Sequence, residues 1–291
     1  MSELVAVVGV QHNPLLWRTL ADPHEPDLVA LRDEFAAVSD RLLATRPDAL
    51  VVIGTDHLTQ WFYGNMASFL IGKAPMIPAT FVSEQREFGI TPHVLAGDVP
   101  LATWLLSDGL ARDVDFSCSD EFRADHSILV PLRFLTPRLD IPVVPVFTNC
   151  MAPPLPRPER FYAVGEVIRA SLGACPLPRR VAVIASGHLS TEVGGPRHFR
   201  GSPDPGFDSE AVALIAAGFT DDLVKLASFE RLTAAGNVSH QFLNFVTAKG
   251  VAGGRPASHA IALTSRFATS PFFEWYGANL NGADLNGAGQ G

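Results

Sequence analysis

Three short apolar runs, at residues 5–10, 49–54 and 181–185, are rich in valine and isoleucine and are closed by glycine or polar residues. Runs of this length and β-branched content predict buried strands. Between them the period changes. Residues 27–45 space Leu28, Leu31, Phe35, Val38, Leu42 and Leu43 three or four apart as on an amphipathic helix, which Pro47 closes. Helices are also predicted over 99–110, 128–135, 160–172, 208–219, 221–227 and 239–248, with Pro131 in the first turn of the second of these. Residues 113–117 and 142–147 read as further strands. Residues 61–72 are apolar and aromatic with breaks at Gly64 and Gly72, and 194–206 read as a loop rich in Gly, Pro and Ser. No internal repeat or long linker divides the chain. The alternation of strand and helix predicts one α/β domain over 1–277, a three-layer helix–sheet–helix build with a mixed central sheet. The Gly- and Asn-rich stretch 278–291 is expected to be a flexible tail.

Composition narrows the class. The 291 residues are 47 % hydrophobic, enough for a sizeable core. The net charge of −8 and the lack of any long basic block exclude a phosphate-tracking surface, so no nucleic-acid partner is expected. No apolar stretch reaches the roughly 18 residues of a membrane span, and no signal peptide is expected at the N-terminus. Three widely spaced cysteines, Cys118, Cys150 and Cys175, argue for a reduced, cytoplasmic protein without a disulfide frame or a thiolate zinc site. A homo-oligomer is expected.

Each strong strand runs into a histidine: Gln11-His12-Asn13-Pro14, Thr55-Asp56-His57 and Ser186-Gly187-His188. In open α/β sheets ligands bind beyond the carboxyl ends of strands, and neutral imidazoles there suit Fe(II) or Zn(II). The plainer reading makes each a buried core or turn histidine. Other motifs are absent: no Gly-x-Gly-x-x-Gly after the first strand, no phosphate loop and no Gly-x-Ser-x-Gly elbow.

Several segments, taken in order, resemble the class III extradiol dioxygenase superfamily, in particular 2,3-dihydroxyphenylpropionate dioxygenase and the protocatechuate 4,5-dioxygenase β subunit. They are the His12 segment, the run from Thr55 to Tyr63, Phe69 to Gly72, Ala124 to Leu132, Pro142 to Asn149 and Ala235 to Asn244, with a weaker match near Glu274-Trp275. The resemblance covers nearly the whole chain. It implies two histidines and a carboxylate around Fe(II), a catechol-like aromatic substrate, and O2 as co-substrate. On this pattern His12 and His57 are metal ligands and His126 is the acid–base residue, whose imidazole suits proton transfer near neutral pH. Trp61 and Tyr63 are candidates to line an aromatic pocket, and Arg197, with Arg200, to pair with a substrate carboxylate.

The chain departs from the pattern twice. The carboxylate ligand falls on Gln241, a neutral and weaker donor. Thr191 stands where the family has a further histidine, while His188 lies three residues earlier. His188 is then a candidate proton donor or third imidazole ligand. Gln241, His188 and Glu192 remain alternatives for the third ligand, with no metal as a fourth reading. His240 is adjacent to Gln241, and neighbouring helical side chains diverge by about 100°, so the two cannot easily share a metal. Fe(II) leads to extradiol cleavage, Zn(II) or no metal to hydrolase, isomerase or C–C lyase chemistry, and a lost metal site also to a non-catalytic partner subunit.

Overall fold

The computed structural model describes residues 1–198, 200–277 and 280, and in it the three valine-rich runs lie side by side in one sheet. The strands are β1 (Glu3–Gln11), β2 (Ala49–Gly54), β3 (Phe69–Gly72), β4 (Met76–Ala79), β5 (His93–Ala96), β6 (Ser117–Ser119), β7 (Val143–Thr148), β8 (Arg180–Gly187), β9 (His259–Thr264) and β10 (Thr269–Tyr276). The helices are α1 (Leu16–Thr19), α2 (Pro26–Ala44), α3 (Val82–Phe88), α4 (Val99–Ala111), α5 (His126–Leu135), α6 (Pro158–Ala174), α7 (Pro205–Ala217), α8 (Thr220–Leu226), α9 (Phe229–Ala235) and α10 (Leu243–Val251).

Eight strands form the main sheet in the order β6-β3-β7-β2-β8-β1-β10-β9. The central four, β7, β2, β8 and β1, are parallel. Strand β10 pairs antiparallel with β1 and β9 pairs antiparallel with β10, while β3 pairs antiparallel with β7. The sheet is therefore mixed, as expected, with a parallel middle. Strands β4 and β5 form a separate small ribbon.

Parallel strands covered on both faces need apolar residues at successive positions. Val51, Ile53, Val183 and Ala185 point into one core, under α4, α6 and α10. Leu50, Val52, Ala182 and Ile184 point into the other, packed by α2 and α5. These two cores are the two interfaces of a helix–sheet–helix sandwich. Among the described residues no helix is long and apolar enough to cross a membrane.

Some local expectations shift. The short strand expected at 113–117 forms at Ser117–Ser119. The helix expected over 239–248 breaks into a 3-10 turn, Ser239–Phe242, followed by α10. Pro131 does not sit in a first turn. Asp125 caps α5 by accepting from Ser127 N at 2.9 Å, so the helix begins at His126 and Pro131 is interior. Strands β4, β5, β9 and β10 and helix α3 are additions. The expected tail at 278–291 lies outside the described residues except Leu280, which is buried.

The sheet's parallel middle fixes where chemistry can occur. β8 runs between β1 and β2, with Gln11 paired to Gly187 and Ile53 to Ala185. Hence His12, His57 and His188 leave the same edge of the sheet. Two glycines allow the close approach this edge requires. A Cβ on Gly187 would lie 2.4 Å from the Gln241 carbonyl oxygen, and one on Gly54 would lie 2.6 Å from Ser127 Oγ.

Candidate metal centre

Four imidazoles converge at the carboxyl edge of the sheet. The ring centroid of His12 lies 5.3 Å from that of His57, 5.6 Å from His126 and 4.4 Å from His188. His57 stacks on His126 at 4.0 Å. Ring nitrogens of His12, His57 and His126 all lie within 4.8 Å of one another. His12 follows β1 directly, and Asn13 Oδ1 accepts from Leu15 N at 3.0 Å to turn the chain away behind it. Behind His57, both Asp56 carboxylate oxygens gather the amides of Thr59, Gln60 and Trp61 into a tight loop.

Each of the three rings is held from behind through Nδ1. His57 Nδ1–H donates to Asp125 Oδ2 at 2.7 Å, and His57 N donates to the same oxygen at 3.0 Å. His126 Nδ1–H donates to Glu84 Oε1 at 2.6 Å, and His126 N at 2.8 Å. His12 Nδ1 contacts Ser186 Oγ. The Nε2 atoms are left to face the shared space, the arrangement by which proteins orient imidazoles on a cation.

Gln241 completes the cluster from the 3-10 turn. Its amide nitrogen lies 3.0 Å from His57 Nε2. Gln241 Oε1 and His12 Nε2 are both buried without a hydrogen-bond partner. Buried polar atoms of this kind call for a partner. His12 Nε2 and Gln241 Oε1, both without a partner, and His57 Nε2, now met by the Gln241 amide nitrogen, form a donor set that fits a divalent first-row cation. His188 is also buried, and its Nδ1 has no partner.

The environments separate these groups by charge. Burial, then the positive potential of His188, His57 and His126, lowers the proton affinity of His12 well below the ordinary histidine value, against a smaller opposing effect of the nearby Gln241 side chain. Burial and the neighbouring His57 and His126 push His188 down to about 3. For His126, burial disfavours the charged form, but the Glu84 hydrogen bond and the charges of Asp125, Glu84 and Asp56 outweigh it and raise the pKa. Asp125 is buried too, yet His57, His126 and the Ser127 hydroxyl hold it well below the usual carboxylate range. Thus His12 and His188 are neutral at neutral pH, while His126 gains affinity for a proton.

Other expected residues lie apart. Glu192 does not reach the cluster, because its carboxylate pairs with Arg197 at 2.6 Å and accepts from Arg197 N at 3.0 Å. Arg197 accordingly meets an internal acid, and its remaining nitrogen donates to Ala234 O at 3.1 Å. Tyr63 is 69 % exposed on its loop. Trp61 is half-buried, with its ring 6.3 Å from Phe147 and its indole N–H buried without a partner. His240 turns away from Gln241 and meets Thr233 Oγ1 and the Phe229 ring. Thr191 is tied through its backbone to Ser239 and Val238 beneath the Gln241 turn. Burial pushes the Cys150 thiol up to about 12, which leaves it inert.

Glu84 and Ser186 were not found by sequence reasoning. Glu84 sits at the third position of α3, where its side chain also accepts from Phe81 N at 2.8 Å. That capping pattern was legible, but its link to His126 across 42 residues was not.

The family described as the catalytic LigB subunit of aromatic ring-opening dioxygenase matches residues 7–276. The chain belongs to the LigB family. Dioxygenases of the LigB family are metal-dependent, which agrees with the donor set found here. Among relatives, the 2,3-dihydroxyphenylpropionate/2,3-dihydroxicinnamic acid 1,2-dioxygenase of Paraburkholderia xenovorans is 32 % identical over 248 residues, 84 % of this chain and 67 % of that protein. A like-named enzyme of Pseudomonas putida is 32 % identical over 183 residues, 62 % of this chain and 54 % of that one. The chain thus spans little more than half the length of several curated relatives it matches. An uncharacterized protein of Escherichia coli K12 shares the fold of this LigB-family chain, with a TM-score of 0.62 at 15 % identity over 93 % of this chain and 99 % of that one.

Proposed function

We propose that this LigB-family protein is a non-haem Fe(II)-dependent extradiol dioxygenase that opens the ring of a catechol-like substrate with O2. The observation that carries the reading is the convergence of His12, His57 and His126 ring nitrogens within 4.8 Å at the sheet edge. His12 Nε2, His57 Nε2 and Gln241 Oε1 hold the cation. This needs a half-turn of the Gln241 amide, which exchanges its oxygen for the nitrogen now facing His57. Fe(II) supplies the electron path between the aromatic diol and O2.

The chain's own residues handle protons and access. His126 keeps one proton on Nδ1 through Glu84 and can take or deliver a second at Nε2. Its raised proton affinity suits it to act as an acid near neutral pH. His188, held neutral, accepts or donates a hydrogen bond without adding charge. Trp61, with Phe147 beside it, offers the aromatic wall. Tyr63 and Arg197 serve substrate binding only if their loops rearrange, since one is exposed and the other is paired with Glu192.

A second reading follows from Gln241. An amide in place of a carboxylate leaves the donor set neutral, and three inward-facing imidazoles also suit Zn(II). The same site would then act without O2, as a hydrolase, isomerase or C–C lyase.

Metal analysis of protein purified without oxygen separates the two, and oxygen uptake with a panel of aromatic diols tests the first. Iron and a yellow ring-opened product are expected, and His12→Ala or His57→Ala should each abolish metal retention. If iron-loaded protein consumes no oxygen with any diol or aminophenol, the dioxygenase reading fails.

A further inference from the structure

Helix α5 carries Pro131 at an interior position. Proline has no N–H, so the carbonyl four residues back, Ser127 O, receives no helical hydrogen bond. The Ser186 hydroxyl reaches across from β8 and donates to that carbonyl at 2.5 Å. The same Ser186 Oγ contacts His12 Nδ1.

The direction of the second contact follows from the first. A hydroxyl has one proton. Ser127 O can only accept, so the Ser186 proton is spent there. The Ser186–His12 contact then has a single polarity: His12 Nδ1–H donates and Ser186 Oγ accepts. The imidazole proton is fixed on Nδ1, and the lone pair is left on Nε2, the buried atom with no partner.

His57 and His126 reach the same tautomer by a different route. Each faces a carboxylate, Asp125 or Glu84, which can only accept when ionised. A serine is ambivalent. A Ser186 hydroxyl free to turn could donate to His12 Nδ1, moving the imidazole proton to Nε2 and blocking it as a ligand. We infer that Pro131 sets the tautomer of His12, by way of the Ser127 carbonyl and the Ser186 hydroxyl. Pro131 and Ser186 are positioning residues for whatever binds His12 Nε2. The inference rests on the proposed role of His12 as a ligand, although the tautomer itself does not depend on a metal.

The test uses the metal-free 291-residue protein and two variants. Pro131→Ala returns an N–H to the Ser127 carbonyl and releases the Ser186 proton. Ser186→Ala removes the acceptor. Long-range proton–nitrogen NMR of the histidine rings, above the pH at which they protonate, reads the tautomer directly. Wild-type His12 is expected with its proton on Nδ1, and both variants with a mixed or Nε2–H population. Anaerobic titration with Fe(II) should show about ten- to a hundredfold weaker binding in both. Pro131→Ala should melt at or above the wild-type temperature, because an interior proline disfavours a helix. Stability and metal affinity then move in opposite directions, which a purely structural role would not produce. An unchanged His12 tautomer in Ser186→Ala and in folded Pro131→Ala overturns the inference, as does a wild-type proton on Nε2. If wild-type protein shows the Nδ1–H tautomer but binds no Fe(II), the relay stands and the metal reading falls.

Discussion

Asp125 and His57 are joined twice: one carboxylate oxygen accepts both the ring Nδ1–H and the backbone N–H of His57, at 2.7 and 3.0 Å. The other oxygen caps helix α5 through Ser127 N. One acid therefore orients a candidate ligand and starts the helix that carries His126. Asp125→Ala should lower stability by about 1–2 kcal/mol through loss of the cap. It should also weaken metal binding by about ten- to a hundredfold through loss of the His57 partner. Asp125→Asn, which keeps a capping oxygen, should recover most of the stability and little of the affinity. Thermal melts beside anaerobic metal titrations check this, and parallel recovery of both quantities would separate Asp125 from metal binding.

Gln241→Glu should tighten Fe(II) binding by about tenfold or more, equal to 1.4 kcal/mol. A carboxylate at that point meets the cation with full charge where the amide offers only a dipole. Equal affinities by anaerobic calorimetry would remove Gln241 from the coordination sphere.

The Glu84–His126 pair is expected to shape the pH profile. Glu84 raises the proton affinity of His126. If His126 acts in its protonated form, the alkaline limb of kcat reports its loss of that proton. Glu84→Gln should move that limb to lower pH, while His126→Ala should lower kcat by about 10²- to 10⁴-fold with metal still bound. Steady-state kinetics across pH, with metal content measured on the same samples, decide it.

Buried neutral histidines give the metal-free protein an acid-sensitive centre. His188 has a folded-state pKa of about 3, far below its unfolded value of about 6.5. Between those values the unfolded chain binds a proton that the folded chain does not, so stability falls as pH falls through that window. His126 works in the opposite sense, because its raised pKa adds stability below the unfolded value and loses it as pH rises. Unfolding titrations of wild type should show the falling branch below about pH 6.5. His188→Gln should flatten it by up to about 1.4 kcal/mol per pH unit. A slope unchanged by that substitution would show that His188 is already charged in the folded protein.

Much of the frame was readable along the chain. The runs at 5–10, 49–54 and 181–185 became β1, β2 and β8, and the helix expected at 27–45 became Pro26–Ala44, because strongly periodic apolar segments report their own burial. The weaker strands β9 and β10 escaped notice. Their residues 259–264 and 269–276 gain strand character by pairing with each other and with β1, and cross-strand pairing is not written in local sequence.

The same division holds at the centre. His12, His57 and His188 stood out because each ends a strand, and parallel strands deliver their carboxyl ends to one edge. Glu192 was an alternative third ligand in sequence, yet a neighbouring arginine claims it. The chain alone determined which imidazoles arrive at the edge. Tertiary structure decided which of their nitrogens face inward, because that depends on Asp125, Glu84 and Ser186, whose contacts with the rings span 68, 42 and 174 positions. Hydrogen-bond direction is set by the partner a ring meets in space, and a linear pattern carries no record of that partner.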